Sequence, residues 1–167
     1  KIFNTAKQVS SVANQFGRKW RLTETYGCTG WDFPFSGHKA LGDWQIALGI
    51  NLRCQHLSWY TMLGEAKRDY PASIFYQSPW WNFYKKVEDY FARVNSIMTR
   101  GKEVRELLVI HPIESMWAIY RNKNLLEKDL GKAEEVLEYD KMFSKLCDCL
   151  LSFHIDFDYG DEDILSR

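Results

Sequence analysis

Glu24 ends the run Trp20-Arg21-Leu22-Thr23-Glu24 and is followed almost at once by a glycine-punctuated aromatic stretch, Tyr26-Gly27-Cys28-Thr29-Gly30-Trp31. A carboxylate at the exit of a strand, ahead of such a loop, is how an α/β enzyme presents a general acid or base. Trp20, Tyr26 and Trp31 around it predict an apolar setting, the kind that tunes a carboxylate for proton transfer near neutrality. A salt bridge to Arg21 or Arg53, or plain exposure, is the competing account. His56 closes a second strand-like run, Ile50 to His56. An imidazole there can hydrogen-bond a substrate hydroxyl or orient a carboxylate, and it can equally be structural. If the two strands are neighbours, Glu24 and His56 face one mouth.

Aromatic residues make up 16% of the chain, with seven tryptophans. Such rings fill cores, and they also form the platforms on which sugars stack. Trp31, Trp59 and Tyr60 fall in loops at the same strand ends as Glu24 and His56. Loop aromatics there have two explanations, sugar stacking and packing beneath the loop.

The remaining candidates have simpler accounts. His38 opens a helix and is expected to be exposed; His111 precedes Pro112, which favours a structural or interface role; His154 ends a helix, where a cation is favourable. Asp156, Asp158, Asp161, Glu162 and Asp163 do not follow the spacing of a calcium loop, and a solvated turn before a helix explains them better. Cys28, Cys54, Cys147 and Cys149 form no C-x-x-C pair, so free thiols are expected, with Cys147 and Cys149 buried in a helix. No glycine-rich phosphate loop, nucleophile elbow or zinc-protease signature occurs. No cofactor and no metal are expected.

The elements that must position these groups follow from the pattern of apolar residues. The chain has 167 residues, 46% hydrophobic and 26% charged, which predicts a packed structure. Its acidic and basic residues balance to zero net charge, so nothing in the bulk electrostatics calls for nucleic acid or an anionic membrane. No apolar run approaches the ~18 residues of a membrane span. The chain opens on Lys1 without a signal sequence and runs almost directly into a helix. It reads as a piece of a longer protein, with the cytoplasm favoured.

Thr5 to Phe16 predicts a helix with Ala6, Val9, Val12, Ala13 and Phe16 on its apolar face and Gly17 as its cap. Trp20 to Thr25 is a strand, and His38 to Leu48 a helix with Ala40, Leu41, Trp44, Ala47 and Leu48 inward. Ile50 to His56 is the next strand. Leu57 to Gln77, containing Tyr70, Pro71, Phe75 and Tyr76, has no sustained period and reads as a long binding loop. Ser78-Pro79 signals a helix running to Gly101, with Ser78 as its cap. Beyond the boundary placed at Gly101-Lys102, a buried strand spans Arg105 to Ile113. An irregular stretch with Trp117 and Tyr120 and a helix from about Lys132 to Phe153 follow. Ile155-Asp156-Phe157 is then strand-like, and Asp158 to Asp161 is a turn. Alternation of this kind predicts an α/β fold with parallel strands. Residues 1–101 and 102–167 are expected to be separate domains.

Ser10-Ser11-Val12-Ala13-Asn14-Gln15-Phe16-Gly17-Arg18-Lys19, Thr23-Glu24-Thr25-Tyr26-Gly27, Asp43-Trp44 and Gly49-Ile50-Asn51 with His56 together resemble the barrel end of α-L-rhamnosidase-type glycoside hydrolases. Glycoside hydrolase family 106 and its bacterial relatives are the family suggested. Leu107 to Leu165, with His111-Pro112-Ile113-Glu114-Ser115 and Asp156 to Asp161, resembles the amidotransferase-like domain that follows the barrel in those relatives. The resemblance implies that 1–101 holds the last βα units of a (β/α)8-type barrel and that 102–167 begins a Rossmann-like domain. It implies a carbohydrate substrate and inverting hydrolysis, with Glu24 as the base that activates water. A partner acid would stand about 6.5–9.5 Å away. It further implies that Tyr26, Trp31, Asn51, His56 and Tyr60 line the sugar pocket.

No residue here is a good candidate for the partner acid, and two strands cannot close a barrel of about eight. The chain alone is therefore expected to lack hydrolase activity and to self-associate through exposed strand edges. A carbohydrate-binding or scaffold protein that cleaves nothing is the alternative from another class. A small-molecule enzyme built on the Rossmann-like layer is a third, weakened by the missing phosphate loop.

Overall fold

The computed structural model describes residues 2–65, 72–119 and 134–167. Along the chain come α1 (Ile2–Gln15), β1 (Leu22–Thr25), α2 (Phe35–Ala47), β2 (Leu52–Gln55), a 3-10 turn (Trp81–Phe83) and α3 (Lys85–Met98). They are followed by β3 (Leu107–Ile110), α4 (Ile113–Ile119), α5 (Glu134–Ser152), β4 (Phe157–Gly160) and α6 (Glu162–Ser166). The fold is mixed α/β with short parallel strands: β1 pairs with β2, and β3 with β4. Tyr70, Pro71, Tyr120 and Lys132 lie outside the described residues. Among the described residues, no helix is long and apolar enough to cross a membrane.

Two compact units form, Gly17–Lys102 and a second that joins Lys1–Phe16 to Glu103–Arg167. In the first, β1 and β2 run in register from Leu22↔Leu52 to Thr25↔Gln55. Side chains alternate across a strand, so this pairing sorts them by face. Thr25 is buried and Thr23, Arg53 and Gln55 are partly covered, while Leu22, Glu24, Leu52 and Cys54 are exposed. Tyr26, Ile46, Ile74, Tyr84, Val87 and Phe91 form the core. Arg53 spans it: its guanidinium lies 3.7 Å from the Phe91 ring centroid, donates to the Tyr26 hydroxyl at 2.8 Å and pairs with Glu88 at 3.1 Å.

Gly49 ends α2 with φ of 98°, as the glycine signal predicts. The buried face of that helix differs from the expectation. Ala40 and Ala47 are exposed, and His38, Gly42, Gln45 and Ile46 are buried instead. The reason is Phe91 of α3, which packs so close to Gly42 that a Cβ there would stand 2.2 Å from the ring. A glycine that sets the contact face is invisible to a hydrophobic pattern.

The third helix also begins later than its cap signal. The Ser78 hydroxyl donates to the Ser73 carbonyl rather than capping a helix, and the regular turns start at Lys85. Gln77 donates to the Trp59 carbonyl, so this segment serves the loop before it.

In the second unit, α1 packs on β4 with its polar side. Lys7 reaches Asp156 at 2.6 Å, Asn14 reaches Asp158 at 2.6 Å, and Gln15 donates to the Tyr159 carbonyl at 2.7 Å. Val9, Val12 and Phe16, expected on the buried face, are exposed. Sequence order alone puts α1 with the first domain, and the structure shows it on β4. Arg105 holds this face together, with ion pairs to Glu103 (2.9 Å), Asp156 (3.0 Å) and Asp158.

Three further expectations change here. Leu107, Leu108 and Ile110 are exposed, so β3 is not a buried strand; Val109 alone of its four residues points inward, towards Phe143, Cys147, Phe157 and Tyr159. Asp158, Tyr159 and Gly160 belong to β4 rather than to a turn; the buried Asp158 is neutralised by Arg105 and accepts from the Asn14 amide at 2.6 Å. Cys149 is exposed, whereas Cys147 is buried as expected. Asp161 caps α6, accepting from the Ile164 amide at 2.8 Å.

Candidate functional site

The two parallel strands end side by side, and the chain leaves both ends in aromatic loops. The His56 amide donates to the Thr25 carbonyl at 2.7 Å, which carries the ladder one step past β2. Glu24 is exposed on the uncovered face of β1, opposite Cys54 in register. The carboxylate and the imidazole converge over Gly27. Glu24 Oε1 lies 3.9 Å, and His56 Cγ 3.8 Å, from the point where a Cβ on Gly27 would sit. Of the two competing accounts of Glu24, plain exposure is the one the structure matches. Arg53 is committed to Glu88 and Tyr26, and Arg21 donates to the Gly49 carbonyl at 3.2 Å.

Tyr26, expected to line the pocket, is buried. Its backbone turns into a positive φ of 70° directly after β1, which sends the ring into the core beside Phe33 and His38. There its hydroxyl donates to the His38 carbonyl at 3.1 Å, and burial, opposed by the nearby Arg53, pushes the phenol above its ordinary range. Asn51 sits at the other end of the sheet, before β2 begins. Its buried amide accepts from the Arg21 N–H at 2.9 Å and donates to the Lys19 carbonyl at 2.7 Å, so it braces the entry to β1. Parallel strands put their C-terminal ends together, and a residue at the start of β2 belongs to the opposite rim.

The loop aromatics divide between the two explanations. Trp59 is buried, packed beneath its loop. Trp31 remains 40% exposed and meets Trp59 edge-on with ring centroids 5.5 Å apart. Tyr60 is 91% exposed. The described ends of its loop are joined: Ile74 N donates to the Leu57 carbonyl (2.7 Å), the Ser58 hydroxyl to the Ile74 carbonyl (3.0 Å) and Trp59 N to the Ser73 hydroxyl (3.1 Å). The His56–Leu57 peptide that opens it is cis.

Two features escaped the sequence reading. His38, expected at the surface, is 2% exposed and ringed by Tyr26, Phe33, Phe35, Trp80 and Tyr84. Burial holds its pKa below the usual histidine value, and Nδ1 lies 3.0 Å from the Pro34 carbonyl. Its neighbours in sequence, Ser36 to Lys39, gave no apolar signal. The second is Tyr76, 60% exposed, whose hydroxyl donates to the Tyr60 carbonyl at 3.3 Å.

No protein-family model matches this chain. No solved structure matches it either. One curated protein is similar. It comes from Formosa agariphila and is named "Putative beta-glucuronidase"; identity is 30% over 113 residues, which are 65% of this chain and 10% of that protein. The chain thus spans about a tenth of the length of the relative it matches.

At the exit of β1 and β2, therefore, an exposed carboxylate and an imidazole both come within 3.9 Å of one point above Gly27. Exposed aromatic rings stand on the loops that follow, and Tyr26 and Asn51 support the strands from behind. A carboxylate so placed can accept a proton from a water or a hydroxyl, and an exposed flat ring can take the apolar face of a sugar.

Proposed function

We propose that this chain is part of a glycoside hydrolase and that Glu24 is one of its catalytic carboxylates. The observation that carries the reading is the convergence of Glu24 and His56 over Gly27, at the C-terminal ends of neighbouring parallel strands. The relative named as a glucuronidase supports the same reaction class. In this reading β1 and β2 are strands of a (β/α)8-type barrel, whose active site lies at the C-terminal ends of the strands. Residues 102–167 are the start of a Rossmann-like, amidotransferase-like domain.

Glu24 acts as the base that removes a proton from the attacking water in an inverting reaction of α-L-rhamnosidase type. A second carboxylate, supplied by the rest of the enzyme, protonates the leaving oxygen from across the ring. His56 hydrogen-bonds a sugar hydroxyl, and Trp31 and Tyr60 offer stacking faces. Lacking the second carboxylate, the chain by itself hydrolyses nothing.

The test uses the enzyme that contains this chain. Glu24→Gln lowers hydrolysis of an aryl α-L-rhamnoside by about 10²–10⁴-fold and leaves the circular dichroism spectrum unchanged, because the side chain is exposed. Turnover near that of the unaltered enzyme ends the catalytic reading. It would leave the alternative of a protein that binds carbohydrate on its exposed aromatics without cleaving it. Running an aryl β-glucuronide in parallel decides between a neutral and an acidic sugar.

A further inference from the structure

The geometry points to a second binding site, a groove between α2 and α3 that takes a small organic anion with a flat ring. It stands apart from the glycosidase reading, and Glu24 plays no part in it. The groove holds about 390 Å³, within the roughly 300–1,000 Å³ of small-molecule pockets. Its apolar lining is Phe35, Val87 and Tyr90, buried or half-buried, and its cationic lining is Lys39, Lys86 and Arg93, all exposed. Lys86, Tyr90 and Arg93 follow one another at four and three residues along α3, which puts them on one side of that helix. The Lys39 ammonium reaches across from α2 and lies 4.4 Å from the Tyr90 ring centroid.

The acids of the two helices are already committed. Asp43 pairs with Lys39 and accepts from the Tyr90 hydroxyl at 2.9 Å. Glu88 pairs with Arg53 and accepts from Gln55 at 2.8 Å, and Asp89 pairs with Lys85. Among the described residues, Lys86 and Arg93 have no ion pair and no carboxylate lines the groove. Two uncompensated cations beside an apolar surface are complementary to an anion whose body is apolar. The rings that would meet that body are set in advance. Phe35 meets Trp80 and Tyr84 edge-on, with centroids 5.5 and 6.0 Å apart, and the bond to Asp43 fixes Tyr90. A preformed surface spares a ligand the cost of ordering it.

The experiment titrates the enzyme that contains this chain with two probes of one shape, 2-naphthoate and its neutral counterpart 2-naphthamide, by isothermal calorimetry. The unaltered enzyme binds the carboxylate at least about fourfold more tightly than the amide, and added salt narrows the gap. Lys86→Gln and Arg93→Gln each weaken 2-naphthoate about two- to fivefold, the worth of an exposed ion pair. The double variant binds the two probes alike and keeps its melting temperature, since both side chains are exposed. Lys85→Gln, whose cation is spent on Asp89 and does not line the groove, leaves both affinities as they were. Equal affinity of the unaltered enzyme for the two probes, no binding of 2-naphthoate, or a preference for the carboxylate that survives the double variant overturns the site. Acetate binding as tightly as 2-naphthoate overturns the requirement for a ring. No hydrolysis is measured, so none of these outcomes bears on Glu24.

Discussion

Glu24 and His56 approach a common point above Gly27, where Oε1 of the first and Cγ of the second stand 3.9 and 3.8 Å from an added Cβ. Both distances are ordinary van der Waals contacts, so a methyl group fits there without displacing backbone. It would occupy the space between the two functional groups. Gly27→Ala is therefore expected to keep its melting temperature and lose up to about 10²-fold in kcat/KM, as misplacement of reacting groups commonly costs. Calorimetry and steady-state kinetics on the same preparation check it. A variant that is fully active would show that the shared position over Gly27 does no chemistry.

Asn51 answers a different question. Its side chain satisfies the Arg21 amide and the Lys19 carbonyl from within the fold, at 2.9 and 2.7 Å. Truncation leaves both backbone groups without that partner at a buried position, at a cost of about 1–3 kcal/mol. Asn51→Ala is expected to lower the urea midpoint while KM for the sugar stays constant in the folded fraction. A raised KM with unchanged stability would return Asn51 to the sugar pocket.

The contrast between Glu24 and Asn51 marks how far the sequence could be read. Strand ends followed by glycine and aromatic residues located Glu24 and His56, because exit positions of parallel strands are set by the alternation of elements. The parallel pairing itself and the glycine ends of α1 and α2 were legible for the same reason, Gly17 adopting φ of 63° and Gly49 of 98°. The direction of single side chains was not. Tyr26 differs from Trp31 through one positive φ, which no local pattern encodes. Asn51 was assigned to the pocket by the resemblance alone, and its actual partners are backbone groups, which carry no residue-type signal. The polar docking face of α1 was hidden likewise, since Lys7 is buried only because Asp156, 149 residues away, neutralises it.

His38 gives a pH prediction with a defined sign. Burial depresses its pKa below the ordinary 6.5, so the unfolded chain binds the proton more readily than the folded one. Its contribution to stability is complete above about pH 6.5 and is lost as the pH falls through the lower folded value. The melting temperature should decline between pH 7.5 and pH 5 more steeply in the parent than in His38→Gln, whose side chain does not titrate. His38→Gln should also be less stable at pH 7.5, because its amide sits poorly among the surrounding rings. Parallel pH profiles for the two proteins would remove His38 as the cause.

Arg105 supplies the sharpest test of the second unit. Its guanidinium is almost wholly covered and meets Glu103 at 2.9 Å, Asp156 at 3.0 Å and Asp158. Asp156 is held below the ordinary carboxylate range; burial alone would raise it, and the hydrogen bond and charge of Lys7 together with the charge of Arg105 reverse that. A planar fork can serve several carboxylates at once, which a lysine ammonium cannot. Arg105→Met leaves these acids without their shared cation, and breaking a buried pair in this way costs about 3–5 kcal/mol. Because Asp156 and Asp158 also hold Lys7 and Asn14, the loss should appear as early hydrogen exchange of the α1 amides, ahead of those of α3. Arg105→Lys should recover only part of the protection. If α1 exchanges no faster in Arg105→Met than in the parent, the ionic network is not what keeps that helix on β4, and the buried contacts of Ala6 and Ala13 must do so instead.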